Sequence, residues 1–328
     1  MTAGLTRRQA VSMLAAPALA FGGLVRAQQF PTKAQRIVVP VGAGSPGDVL
    51  MRHLGEQLTP ITRQPVVVDN KPGADGLIAM QALLSAPPDG HTMLLLGPQP
   101  LVFNPLLRND LPYAVEDLRM IGGVAQFWNV LVTGPNSKFG SFEEFAAAAR
   151  KEKNAVAIGT SGLSFRIGGA VLGRELGVTL RHVPYSTSSQ LLTDIGGGIL
   201  DAAFVPASGV AGMATANKLR VLACASPRRL PQLPQVPTLR ESGVNFDWPL
   251  WTALAVRAGT PAPILGTLEA QLQKALATKE MQAAVAKLDT FEIMTASAQD
   301  ISSIMARDTD RLRDIVKQIA AEQSVQGR

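Results

Sequence analysis

Cysteine is almost absent. The 328-residue chain has one, Cys224, so no intrachain disulfide can form. It sits in the apolar run Val221-Leu-Ala-Cys-Ala225, the setting of a small buried hydrophobe rather than a reactive thiol. Histidine is scarce too. His53, His91 and His182 show no ligand spacing, and with one thiol they cannot build a structural zinc site, so no metal is expected. Aromatic residues make up 5% and do not interleave with basic ones, which argues against a nucleic-acid partner. Charged residues are few, 17% against 46% hydrophobic, which leaves ample material for a packed core and little case for disorder. The length suits two domains or one large one.

The formal charge of +6 is smaller than it looks. Arg7, Arg8 and Arg26 lie in the first 27 positions, which contain no acid, and without them the excess falls to +3. That segment reads as a cleavable export signal. Arg7-Arg8 supply its positive end, and Thr6-Arg7-Arg8-Gln9-Ala10 is similar to the twin-arginine consensus, with the general secretory route as the alternative. Ala10 to Val25 is apolar but broken by Pro17, Gly22 and Gly23, too short and interrupted for a span. Val25-Arg26-Ala27 places small residues for cleavage before Gln28. No cysteine stands there to carry a lipid, and no later segment is apolar enough to cross a membrane. The expected location is periplasmic.

Strands and helices alternate along the rest. Apolar runs predict strands at 36–41, 65–69 and 92–97, each a continuous run of the kind found in parallel sheets covered on both faces. Helical spacing follows at 48–58, with Asp48 as the expected N-cap, and at 77–85. The pattern restarts after about residue 130. Ser141 and Glu144 form a capping box for a helix over 142–151, and strands are expected at 155–158, 180–185, 200–205 and 219–225, with a helix at 189–195. A further strand at 251–256, a helix at 262–277, a short strand at 291–294 and a long helix from Ser297 complete the chain. This predicts two tandem α/β lobes with a cleft between them.

Three polar turns follow strands and open helices. Gly42-Ala43-Gly44-Ser45-Pro46-Gly47 is a G-x-G-x-x-G, and Asp69 lies 22 residues past Gly47 at the end of the next strand. This is the context of a dinucleotide fingerprint. Against it, Pro46 removes an amide from the loop, and Asp48 brings a carboxylate to where phosphate should sit. A generic anion-binding turn and a purely structural turn remain open. Ala43-Gly-Ser45-Pro-Gly47 also approximates a nucleophile elbow, with Asp89 and His182 as formal triad partners. The second turn is Thr160-Ser161-Gly162-Leu163-Ser164-Phe165-Arg166, whose amides, hydroxyls and guanidinium suit a carboxylate or phosphate; a solvated loop is the alternative. The third is Tyr185-Ser186-Thr187-Ser188-Ser189, four hydroxyls any of which could cap a helix. Trp128, Trp248 and Trp251 flank the connections between lobes, packed there or lining the cleft. No acid–base pair is evident in these turns, which favours binding over catalysis.

A series of segments carries a resemblance: Phe30-Pro-Thr-Lys33, Val38-Val-Pro40, Gly44-Ser-Pro-Gly-Asp48, Asp69-Asn-Lys-Pro-Gly73, Pro88-Asp-Gly-His-Thr92, Asn104-Pro105, Leu111-Pro-Tyr113, His182-Val-Pro-Tyr185, Lys218-Leu-Arg-Val-Leu222, Leu233-Pro-Gln-Val-Pro-Thr238 and Ala258-Gly-Thr-Pro-Ala-Pro263. In that order and spacing the chain resembles the Bug-type solute receptors, the extracytoplasmic binding proteins of tripartite tricarboxylate transporters. The resemblance implies a two-lobe periplasmic-binding fold of type II-like topology, with two interlobe crossovers and a C-terminal helix that returns to the first lobe. It places 28–128 and 254–328 in lobe 1 and 129–253 in lobe 2. It implies a non-enzymatic receptor, without cofactor, that holds a small carboxylate in the interlobe cleft. Its partners would be membrane transporter subunits or a sensor kinase, and the chain would be a monomer.

Carried over residue by residue, the resemblance gives a site. It comprises Ala43, Gly44 and Ser45 with Asp48 as organiser, Gln99, then Ser161, Gly162, Ser164 and Arg166, and finally Tyr185, Ser186 and Thr187. The chain departs from the family at Val41, usually aromatic, and at Gly47, usually a hydroxyl. Arg166 stands where histidine is usual and could clamp a carboxylate or swing into solvent. Ser186-Thr187-Ser188 replaces Lys-Gly-Gly, and the turn Pro98-Gln-Pro-Leu101 is one residue shorter. The alternative reading is an exported oxidoreductase with a dinucleotide at 42–47 and Asp69 on the ribose.

Overall fold

The computed structural model describes residues 30–152, 154–288 and 291–326. The expected export signal at 1–27 lies outside them.

In the first half, β1 (Gln35–Val39) leads into α1 (Pro46–Thr62), β2 (Val66–Asn70), α2 (Leu77–Leu84) and β3 (Thr92–Leu96). A π-helical segment, Gln99–Phe103, runs into the short α3 (Asn104–Leu107). The long β4 (Leu118–Phe127) and β5 (Asn129–Thr133) are separated only by Trp128. Then come α4 (Phe142–Lys151), β6 (Ala157–Thr160), α5 (Leu163–Leu176), β7 (Arg181–Pro184), α6 (Ser188–Gly196), β8 (Ala202–Pro206), α7 (Val210–Thr215) and β9 (Arg220–Cys224). The chain closes with β10 (Leu250–Arg257), α8 (Ala262–Leu276), α9 (Lys279–Lys287), β11 (Phe291–Ile293) and α10 (Ala298–Gln326).

The strands form two sheets. One has the order β11-β4-β10-β3-β1-β2 and the other β7-β6-β8-β5-β9. β4 belongs to the first sheet and β5 to the second, so the chain crosses between lobes at Trp128. It returns before Leu250, because β10 pairs with the first sheet from its first residue. The expected division between 253 and 254 thus falls inside a strand.

The sheets are mixed, not purely parallel. β1, β2 and β3 run parallel, as do β6, β7 and β8, because each pair is joined by a covering helix. β4, β5 and β10 pair antiparallel to their neighbours. β5 and β10 enter their sheets from the opposite lobe rather than through a βαβ crossover, and an apolar run does not reveal direction. For β1 and β3 the continuous apolar runs do report burial on both faces, whereas β2 is an edge strand with Val67 54% exposed. Ile37 and Val39 pack under α1, α8 and α9, while Val38 between them packs on the other side with α2 and α10. The second sheet lies between α4 and α5 on one face and α6 and α7 on the other. Cys224 is buried there, and burial pushes its thiol up to about 11. α10 packs against β4, α3 and α5, so it touches both lobes.

Candidate functional site

The first polar turn is held by Asp48. Ser45, not Asp48, is the N-cap of α1: its Oγ accepts from the Asp48 amide at 3.4 Å and donates to the Gly42 carbonyl at 2.7 Å. Pro46 follows at the first helical position, where its missing N–H costs nothing. Asp48 then reaches back. Its carboxylate accepts from the Gly44 amide at 2.8 Å, from Asn70 Nδ2 at 2.9 Å and from Arg52 Nε at 3.0 Å. The Arg52 guanidinium is the largest influence that holds the Asp48 carboxyl down at about 2. Asp48 is 1% exposed, so this anion is a buried brace for the turn.

That arrangement removes the dinucleotide and triad expectations. The Gly44 amide is occupied by the Asp48 carboxylate and the helix start by the Ser45 hydroxyl. Asp69 pairs with Arg36 at 3.4 Å and Lys71 at 3.6 Å, so its charge is already compensated. Asp89 pairs with Lys33 and His91, and the Ser45 hydroxyl is committed to Gly42.

A cleft of about 720 Å³ opens between the sheets, with walls from both. The first lobe contributes Ser45, the loop Gly73–Gly76, the turn at Gln99 and the β10 residues Trp251 and Thr252. The second contributes Ser164 and Phe165 from the first turn of α5, Pro206 at the end of β8 and Ser208 beyond it. Gly97 lets β10 approach this closely: a Cβ there would stand 2.7 Å from the Trp251 carbonyl oxygen. Trp251 is 2% exposed, and its indole N–H lies 3.5 Å from Asp308 on α10. It both packs and lines the cleft, so the two sequence readings hold together for it. Phe127 and Phe291, with ring centroids 5.0 Å apart, close one side.

Of the sequence-predicted residues, Ser45, Gln99 and Ser164 meet in this cleft. Ala43 and Gly44 are exposed in the adjacent turn. Gly162 sits at the start of α5 with φ of 105°, and it provides no side-chain cap. Ser161 is bonded to Ser188 at 2.8 Å, which ties the second turn to the third. Tyr185 donates to Asp194 at 2.8 Å, Thr187 caps α6, and Ser186 is exposed nearby. None of these last residues lines the cleft. Arg166 is buried, 9% exposed, and lies outside the lining. It stands two residues beyond Ser164, about 200° around the helix, and so on a different face of α5.

The sequence reading missed the loop at 73–76, Ser208, Thr252 and the Phe127–Phe291 pair. The prolines and glycines after Asp69 marked a turn, and nothing local said that it would fold back on the cleft. A second cavity, of about 500 Å³, is lined by Arg240, Arg307, Asp308 and Arg311. Charges on its walls pair with one another, Arg240 with Asp247 and Arg307 with Asp308. The predicted turns do not reach it.

Comparison with known proteins agrees with this geometry. Residues 50–321 match the tripartite tricarboxylate transporter family receptor family. A UPF0065 protein of Bordetella bronchiseptica is 34% identical over 275 residues, covering 83% of this chain and 82% of that one. Among solved structures, a TctC solute binding protein from Polaromonas is 25% identical with a TM-score of 0.76, covering 88% of this chain and 99% of that one. The periplasmic binding protein BugD is 26% identical with a TM-score of 0.72, covering 89% and 99%. The chain belongs to the tripartite tricarboxylate transporter receptor family, as the resemblance implied, and has its two-lobe α/β fold.

Proposed function

From membership of that family, we propose that the chain is an exported, periplasmic receptor. It closes its lobes on a small carboxylate and hands it to a tripartite tricarboxylate-type membrane transporter. The observation that carries the reading is the cleft itself. It lies between two sheets, and Ser45, Gln99 and Ser164 enter it from both. Closure on a bound solute is the motion that such a hinge-linked pair supports.

The carboxylate sits best at the start of α5. No side chain caps that helix, so its first amides remain for an anion, with Ser164 Oγ beside them. α1 and α6 are capped by Ser45 and Thr187. Gln99 extends toward the same space from the opposite wall. The polar groups of the lining are hydroxyls, an amide, the single carboxylate of Asp75 and backbone, a set that binds and orients a solute and lacks a paired acid and base; we read the chain as a receptor without cofactor.

Thermal melting of the full chain against a panel of small carboxylates plus NAD and NADP tests this. A ligand at about 100 times its dissociation constant adds about 2.7 kcal/mol, a shift of several degrees. Stabilisation by a carboxylate, weakened by Ser164→Ala and Gln99→Ala, is the expected result. A panel in which only the nucleotides act would overturn the reading.

A further inference from the structure

The charge and surface of the cleft are unusual for a site that binds compact polyanions. Among the described residues that line it, none is lysine or arginine, and the only ionisable side chain is an acid, Asp75. The rest of the lining is dominated by apolar side chains, including Met80, Phe127, Phe165, Trp251 and Phe291.

Asp75 is held there by its backbone. Gly73, Ala74, Asp75 and Gly76 all have positive φ, of 109°, 47°, 53° and 86°. Two non-glycine residues in succession in the left-handed region are a strained arrangement, kept only where the surroundings enforce it. The loop places Asp75, which is exposed, in the cleft lining just before α2. Arg108 feels the Asp75 charge but is bonded to Asp110 at 3.0 and 3.2 Å, so its own charge is already engaged.

We infer that this receptor takes a monocarboxylate with an aromatic-sized apolar body, and that Asp75 rejects ligands with a second carboxylate. The inference rests on the reading of the cleft as a carboxylate seat. One carboxylate can be satisfied by the amides of α5 and Ser164. A second one, desolvated on closure, would need a cation or a further set of donors. Beyond neutral hydroxyls and Gln99 the lining offers no cation, and it presents a like charge, so repulsion works as discrimination against diacids. The apolar body gains by leaving water against Trp251 and the Phe127–Phe291 pair. The aromatic residues thus select the body of the ligand, and Asp75 limits its charge.

The test is calorimetric titration of the full chain with benzoate and terephthalate, which share a ring and differ by one carboxylate, and with malate and adipate. Asp75→Asn removes the charge. Asp75→Gly does so while relieving the strained φ, so it guards against a folding defect. We expect benzoate to bind the parent at least tenfold more tightly than terephthalate, malate or adipate. In both variants the terephthalate penalty should shrink at least threefold while benzoate affinity holds. Diacids that bind the parent as tightly as benzoate, or a ratio unchanged in both variants, would overturn the inference and leave the receptor reading intact. No binding of any of the four would overturn the receptor reading as well.

Discussion

A Cβ placed on Gly97 would stand 2.7 Å from the carbonyl oxygen of Trp251, inside van der Waals contact with backbone that cannot rotate away. The two residues sit where β3 ends and β10 passes, and both line the cleft. Glycine here is a condition for the cleft floor. Gly97→Ala should therefore push β10 away from β3. Forced insertion into a packed site costs about 1–3 kcal/mol. The melting temperature should fall by several degrees, and the affinity for any carboxylate that binds the parent should fall with it. Thermal melting and calorimetry on the same preparation read both effects.

Asp48 makes a second prediction, in pH. Its folded pKa lies at about 2, below the ordinary 3.8, chiefly because of Arg52. A group with a depressed folded value stabilises the protein above its unfolded pKa, and that contribution is lost as pH falls through the folded one. The stabilisation from Asp48 should thus be complete above about pH 4 and fade between 4 and 2. Asp48→Ala removes it at every pH and leaves the Gly44 amide and Asn70 without their acceptor, at a cost of about 2–3 kcal/mol. Denaturant melts at pH 7 and pH 3 should show the gap between parent and variant narrow at the lower pH. A gap that stays constant would mean that Asp48 does not titrate as its contacts require.

Arg166 separates two roles. As a clamp, its removal would weaken ligand binding and leave stability unchanged. Its burial outside the cleft lining predicts the reverse. Arg166→Ala should lower the melting temperature by several degrees, since a buried charged side chain with its stem is lost. Affinity for a carboxylate that binds the parent should stay within about twofold. A large loss of affinity with an unchanged melt would return Arg166 to the cleft.

These residues show what was readable from the sequence. Continuous apolar runs located most of the sheet strands within a few residues, because burial on both faces leaves no room for polar alternation, but did not delimit β4 and β5. Strand-to-helix turns rich in glycine and hydroxyls pointed to Ser45 and Ser164, because such turns leave donors at the ends of parallel strands. Direction of pairing was not readable: β5 and β10 are as apolar as β1, and only the lobe crossings make them antiparallel. Nor was helical phase. Ser164 and Arg166 looked like members of one cluster, yet two residues along a helix put them on nearly opposite sides. The loop at 73–76 reaches the cleft only through positive φ at Ala74 and Asp75, residues whose identity does not announce that conformation. The missed helices α7 and α9 are short, six and nine residues, and their apolar stripes are correspondingly brief.

The last prediction concerns the anion seat at the start of α5. Ser164 lies in the first turn of a helix that no side chain caps. Replacing it with aspartate would supply an internal anion to the same amides. Acidic residues in a first turn interact favourably with the helix dipole, so Ser164→Asp should fold at least as stably as the parent. It should also compete with the ligand for its donors and repel its charge. The expected result is a loss of carboxylate affinity of more than tenfold with an equal or higher melting temperature in the absence of ligand. Ser164→Asn, similar in size and uncharged, should lose far less. If Ser164→Asp binds as the parent does, the carboxylate is held elsewhere in the cleft, and Gln99 and Ser208 become the next positions to vary.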